Sequence, residues 1–172
     1  MAGLPGTGKS TLAARLAERL GAVVLSKDVI RAALFPVVHY TREQDDAALN
    51  EIYSRARRCD GPVIIDGRTF SQAYQVRDLF AAAEAMGETP RIIECIASDD
   101  VIRLRLERDA ASGSHPAKNR TFELYLEVKS GAEPLTVPRL VLDTGAIPLD
   151  ECVERAIGYL QHWEGEAPAE PR

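Results

Sequence analysis

Residues Gly3 to Ser10 read GLPGTGKS, which fits the pattern GxxxxGK[ST]. The chemistry served by this spacing is phosphate binding. Glycines let successive backbone N–H groups converge on phosphate oxygens, and the helix that follows adds its positive dipole end. Leu12, Leu16 and Leu20 recur at i, i+4 and i+8 behind the loop, as that helix requires. Lys9 would neutralise charge on the β- and γ-phosphates of ATP, and the Ser10 hydroxyl would ligate Mg2+. The expected nucleotide contacts are therefore Gly3, Pro5, Gly6, Thr7, Gly8, Lys9, Ser10 and Thr11.

Three further groups carry chemistry. Val63-Ile64-Ile65-Asp66 is an apolar run ending in an acid. At the carboxyl end of a strand, Asp66 would hold a Mg2+-bound water; the competing reading is a simple turn residue or cap. Asp28 and Arg31, in SKDVIR, lie three residues apart on one face of a starting helix. Asp28 could accept the proton of an attacking hydroxyl while Arg31 orients an acceptor. Alternatively, Asp28 complements the helix dipole and pairs with Arg31 at the surface. On a helical wheel Val101, Ile102, Leu104 and Leu106 define one broad side that also contains Arg105 and Arg108, with Arg103 opposite. Inward cations need a partner, either phosphate in a cleft or internal acids such as Glu107 and Asp109. Arg55, Arg57 and Arg58 read as a solvated face.

The elements that must position these groups alternate. Short apolar runs at Ala22–Leu25, Val63–Ile65, Arg91–Ile96 and Arg139–Leu142 read as buried parallel strands. Amphipathic stretches at Lys9–Leu20, Val29–Leu34, Arg42–Arg58, Gln72–Met86, Asp99–Ala111, Phe122–Val128 and Glu151–Trp163 read as helices. Thr41 and Gln44 fit a capping box, Ser71 and Asp150 are candidate N-caps, and Gly21 and Gly87 are helix stops. Strands alternating with helices predict an α/β fold with a parallel sheet. Ser112–Pro116 reads as a mobile lid or an ordinary helix connection, within a lid region of about residues 105–120. Residues 1–164 form one expected domain, and residues 165–172 an expected disordered tail.

Composition narrows the function. With 21 Lys plus Arg against 26 Asp plus Glu, the 172-residue chain carries a net charge of −5. That disfavours general polyanion binding, so a nucleic-acid role would need a local basic patch. No apolar run spans a bilayer and no basic-then-apolar leader opens the chain, which predicts a cytoplasmic protein without a membrane partner. Cys59, Cys95 and Cys152 stand far apart and read as free thiols. Neither they nor His39, His115 and His162 have zinc-ligand spacing.

GLPGTGKST, LSKDVIRAALF, VIIDGRTF, RLRLERD and LVLDTGAIP, in this order, resemble the small P-loop kinases that include zeta toxins, chloramphenicol phosphotransferase and the phage polynucleotide kinase domain. The resemblance covers nearly the whole chain. It implies a P-loop three-layer sandwich with sheet order 2-3-1-4-5, Asp28 as general base and Arg31 as a substrate contact. It also implies Arg105 and Arg108 as lid arginines on the transferring phosphoryl group, and a loop Asp143–Pro148, including Gly145, bordering the adenine. Such kinases carry a full apolar strand before the phosphate loop, whereas only Met1 and Ala2 precede Gly3. The expectation is that the first strand is largely missing from this chain, with about four to seven mostly Val, Ile or Leu residues just upstream.

The reading that follows is ATP- and Mg2+-dependent transfer of the γ-phosphoryl group to a hydroxyl of a small molecule. Its rivals are a nucleic-acid 5′-hydroxyl kinase and a nucleotide-binding switch that hydrolyses ATP slowly.

Overall fold

Alternating β-branched runs and amphipathic stretches fold as the periodicities dictate. The computed structural model describes residues 1–113, 117 and 119–162. Its elements are α1 (Lys9–Leu20), β1 (Val23–Ser26), α2 (Lys27–Leu34), α3 (Arg42–Ala56), β2 (Val63–Asp66) and α4 (Ala73–Glu84), followed by β3 (Ile92–Ile96), α5 (Asp99–Ser112), α6 (Phe122–Ser130), β4 (Arg139–Asp143) and α7 (Leu149–Gln161). The expected tail 165–172, His115 and part of the expected lid lie outside the described residues.

β1 pairs in parallel with β2, in a register that sets Ser26 beside Asp66. β3 pairs in parallel with β4, from Ile92 beside Arg139 to Ile96 beside Asp143. Met1 and Ala2 run between the two pairs. The Met1 amino group donates to the Ile65 carbonyl at 2.9 Å, the Ala2 N–H donates to the Ile93 carbonyl at 2.8 Å, and Cys95 N–H donates to the Ala2 carbonyl at 2.9 Å. The order of the resemblance is kept, with two residues in the central position. Two two-stranded ladders result, rather than one continuous five-stranded sheet, with Ala2 bridged to Glu94 of β3 and Met1 bonded to Ile65 of β2 between them.

Period-2 alternation distributes the strand side chains between two helical layers. Ile64, Ile93, Cys95 and Leu142 pack with Leu12 and Leu16 of α1 and Cys152, Val153 and Ala156 of α7. Val63 and Ile65 face the other way, onto Ile30, Ala48, Leu49 and Ile52 of α2 and α3. Ala2, Phe70, Leu79 and Ile92 continue that layer beneath α4. Ile102, Leu106 and Tyr125 join α5 to α6 beside Leu4 of the phosphate loop. This is an α/β sandwich with both sheet faces covered.

Several local expectations are corrected. Thr41 does cap α3 by accepting from Gln44 N–H, but the Gln44 carboxamide oxygen accepts from His39 and Tyr40 N–H, two residues and one residue before the Thr41 N–H that a capping box requires. Ser71 faces Thr69 across a 2.9 Å hydroxyl contact, and α4 starts after Gln72 without a side-chain cap. Asp150 lies inside the first turn of α7, whose N-cap is Pro148. Leu104 is 61% exposed, because only the narrower Ile102–Leu106 stripe meets a partner surface. Gly21 ends α1 in the left-handed conformation, as read from the sequence.

Candidate functional site

The phosphate loop links Ala2 to the first residue of α1. Lys9 opens the helix, Gly8 is its N-cap, and Pro5–Gly6 form the turn before it. Gly3 and Gly6 have positive φ, and neither has room for a side chain. A Cβ on Gly3 would stand 2.3 Å from the Cys95 carbonyl oxygen, and one on Gly6 would stand 2.9 Å from the Ile102 side chain. Gly3 N–H donates to the Thr69 carbonyl at 3.0 Å, which anchors the loop to the segment after β2. Within the loop, Thr7 Oγ1 and Lys9 Nζ both donate to the Leu4 carbonyl, at 2.8 and 2.7 Å. Burial pulls the Lys9 ammonium down to about 8, with the Asp66 carboxylate acting in the opposite direction.

Ser10 Oγ donates to Asp66 Oδ2 at 2.7 Å. Asp66 is 2% exposed, and its other oxygen, Oδ1, is buried without a hydrogen-bond partner. A buried carboxylate oxygen with no donor is costly, and a hard cation satisfies it. A hydroxyl and a carboxylate beside a phosphate-binding loop are the oxygen donors that Mg2+ takes together with substrate phosphates. Among the described residues no group of three His, Cys, Asp or Glu side chains gathers elsewhere.

Asp28 and Arg31 occupy the first turns of α2, directly after β1. Arg31 is 3% exposed; its Nη1 donates to Asp28 Oδ1 at 3.1 Å, and its Nη2 is held by Asp45 of α3. Asp45 also accepts from Lys27 Nζ at 3.2 Å. The Arg31 guanidinium lies 5.2 Å from the Tyr40 ring centre, and its Nε has no partner. The surface-pair alternative thus fails for Arg31, which is a buried cation between two carboxylates.

A cleft of about 300 Å3 opens on the far side of the loop, lined among others by Gly8, Thr11, Arg105, Arg108, Thr144 and Ile147. Arg105 does not pair with an acid: its guanidinium donates to the Thr144 hydroxyl at 2.9 Å, the Thr144 carbonyl at 2.7 Å and the Gly6 carbonyl at 3.4 Å. Arg108 is exposed on the cleft wall. Gly145, in the loop beside the cleft, donates its N–H to Asp143 Oδ1 at 2.9 Å.

The family profile for the AAA domain matches residues 1–130. The chain belongs to that family. Among solved structures it resembles a candidate kinase from Chloroflexus aurantiacus, with 27% identity and a TM-score of 0.72 over 93% of this chain and 96% of the other. The fold is shared with the APS kinase of Mycobacterium tuberculosis, solved with AMPPNP and APS (19% identity, 93% and 94% coverage, TM-score 0.69). It is shared as well with a gluconokinase of Sinorhizobium meliloti (20% identity, 93% and 89% coverage, TM-score 0.66). No curated protein matches the chain. The protein falls in the small P-loop kinase group. Among the described residues no helix is long and apolar enough to cross a membrane.

Four residues of this P-loop kinase escaped the sequence reading. Thr144 reaches the phosphate loop 137 positions away, and Asp45 reaches Arg31 from the next helix, so no pattern within one element marks either. Arg120 pairs with Asp109 at 3.0 Å and acts electrostatically on Lys9, from a loop whose register only α5–α6 packing sets. Arg68 is 4% exposed, held by Asp78 at 3.0 Å; its burial follows from the Phe70 and Tyr74 rings on either side. For Arg68 the signal was present in VIIDGRTF, a cation directly after the acid-ended strand.

Proposed function

We propose that this protein transfers the γ-phosphoryl group of ATP to a hydroxyl of a small molecule, with Asp28 as the general base. The observation that carries the reading is the parallel β1–β2 register. It sets Ser26 beside Asp66 and so brings α2, with its second carboxylate, to the sheet edge that carries the Ser10–Asp66 pair. Asp28 is braced by Arg31 and is close enough to act on the Lys9 charge. A nucleotide switch has no use for a carboxylate positioned in this way; a hydroxyl acceptor does.

Within this reading the triphosphate lies on the loop N–H groups and Lys9, and the nucleoside fills the cleft walled by Thr144, Ile147 and Arg108. Ser10 and Asp66 hold Mg2+, which supplies charge neutralisation to the phosphates. Asp28 takes the acceptor proton, and Arg31 orients the acceptor. Arg105 and Arg108 meet charge on the transferring group, and residues 105–120 serve as the lid of a single domain ending near residue 164. Binding energy goes into positioning and charge stabilisation, the terms that dominate phosphoryl transfer. The acidic net charge and a fold shared with a gluconokinase support a small acceptor in a cytoplasmic enzyme.

The test is to incubate the protein with Mg·ATP and panels of sugars, nucleosides, aminocyclitols and oligonucleotides, reading each acceptor by mass. A gain of one phosphate on a small hydroxylated compound is the expected result. Gain on oligonucleotide 5′ ends alone, or ATP hydrolysis without transfer, overturns it.

A further inference from the structure

We propose that Thr144 is a positioning residue for the triphosphate. Set at the end of β4, its hydroxyl locks the phosphate loop and the Arg105 guanidinium into one unit, so that the nucleoside wall and the phosphate cradle act together. The inference rests on ATP being the nucleotide of the proposed transfer.

A threonine hydroxyl has one proton to give and two lone pairs to offer. Here the proton goes to the Thr7 carbonyl oxygen at 2.8 Å, across 137 positions of sequence. A lone pair takes the Arg105 Nη1 proton at 2.9 Å, and the Thr144 carbonyl takes the proton of Nη2 at 2.7 Å. The Ile96 carbonyl, at 3.3 Å from Oγ1, is a longer and weaker second acceptor. Thr144 N–H donates to that same carbonyl at 2.9 Å, so the residue is fastened to the end of β3.

The consequence lies in the peptide that Thr7 and Gly8 share. A trans peptide is planar, with C=O and N–H pointing in opposite directions. By fixing the Thr7 carbonyl, Thr144 aims the Gly8 N–H away from itself. Glycine also suits this approach at position 8, where φ is 82° and a Cβ would make a tight 3.2 Å contact with Thr144 Oγ1. Arg105 adds a looser contact to the Gly6 carbonyl at 3.4 Å. Thr144, Gly8 and Arg105 all line the same cleft, so a base seated against the 143–148 loop bears on the residue that aims the phosphate amide.

The experiment uses Thr144→Val, which keeps the shape and removes the hydroxyl, and Thr144→Ser, which restores it. Affinities for ATP, inorganic tripolyphosphate and AMP are measured by calorimetry on variants whose melting is first matched to the parent. Thr144→Val is expected to weaken ATP and tripolyphosphate by roughly 10–150-fold, the range of a hydrogen bond serving a charged group. AMP affinity should stay within about twofold and Thr144→Ser should recover most of the loss, as expected when only the aim of a phosphate donor is disturbed. Combined with Arg105→Gln, the losses should fall well short of multiplying, because both changes break one network. Parent-like ATP affinity in Thr144→Val, an equal loss of AMP affinity, or fully multiplicative losses would overturn the proposal. If the parent itself binds neither ATP nor tripolyphosphate, the underlying phosphotransfer reading falls, and this inference with it.

Discussion

Ser10 Oγ and Asp66 Oδ2 meet at 2.7 Å although 56 positions separate them in the chain. The contact joins the first turn of α1 to the last residue of β2, leaving Asp66 Oδ1 buried and unpartnered. One hydroxyl and one half-satisfied carboxylate, beside the glycine-rich loop, form the most constrained part of the site.

Removing that carboxylate should uncouple nucleotide binding from the metal. Asp66→Asn is expected to lower ATP affinity about tenfold or more in Mg2+ while changing it little in EDTA. Calorimetric titration in the two buffers measures the ratio. An undiminished Mg2+ effect in the variant would exclude Asp66 from the metal site.

Lys9 gives two pH effects of opposite sign. Burial holds its ammonium at about 8, below the ordinary 10.5, so folded protein binds fewer protons than unfolded protein between these values. The Lys9 contribution to stability therefore rises with pH across that window. ATP binding needs the charged amine. Affinity should be full below about pH 8 and fall above it, by up to about tenfold per pH unit, with one proton taken up per ATP bound. Chemical denaturation and ATP titration over the same pH series measure both trends. Lys9→Ala should remove both and abolish turnover.

Asp28→Asn separates proton removal from nucleotide binding. The amide keeps the size and the acceptor oxygen that Arg31 Nη1 uses. With an acceptor in hand, transfer should fall roughly 10²–10⁴-fold, with ATP affinity nearly unchanged. A parallel loss of ATP affinity would make Asp28 a structural or metal-linked group.

Two glycines with positive φ should respond very differently to alanine. Gly21 has φ 62° and nothing within 4 Å of an added Cβ, so Gly21→Ala pays only backbone strain, about 1 kcal/mol. Gly3→Ala places its Cβ 2.3 Å from a backbone carbonyl of β3 and should cost several kcal/mol, enough to lose soluble protein or nucleotide binding. Urea denaturation of both variants makes the comparison, and equal melting would contradict the packing of Gly3 against Cys95.

Local chemistry was legible in the sequence. GLPGTGKS is read contiguously because phosphate binding by backbone amides needs consecutive residues. Its helix was placed at Lys9–Leu20 because a repeat of leucines reports the α period directly. The four apolar runs became strands because short β-branched runs bounded by turn residues suit a parallel sheet, although Val23, Ile96 and Val141 end exposed. What only tertiary structure decided is every relation across the sheet edge. Arg105 belongs to the phosphate loop through Thr144 rather than to an acid on its own helix, a choice set by where β4 ends. Arg31 is buried because α3 brings Asp45 over it, and a wheel drawn on α2 alone cannot contain that carboxylate. Met1 and Ala2 hold the central position between β2 and β3 through three backbone hydrogen bonds, whose partners 64 to 93 positions later are carbonyls and amides that carry no side-chain signature. Patterns in a sequence report which face an element buries; the partner that buries it is selected by packing, which no single segment encodes.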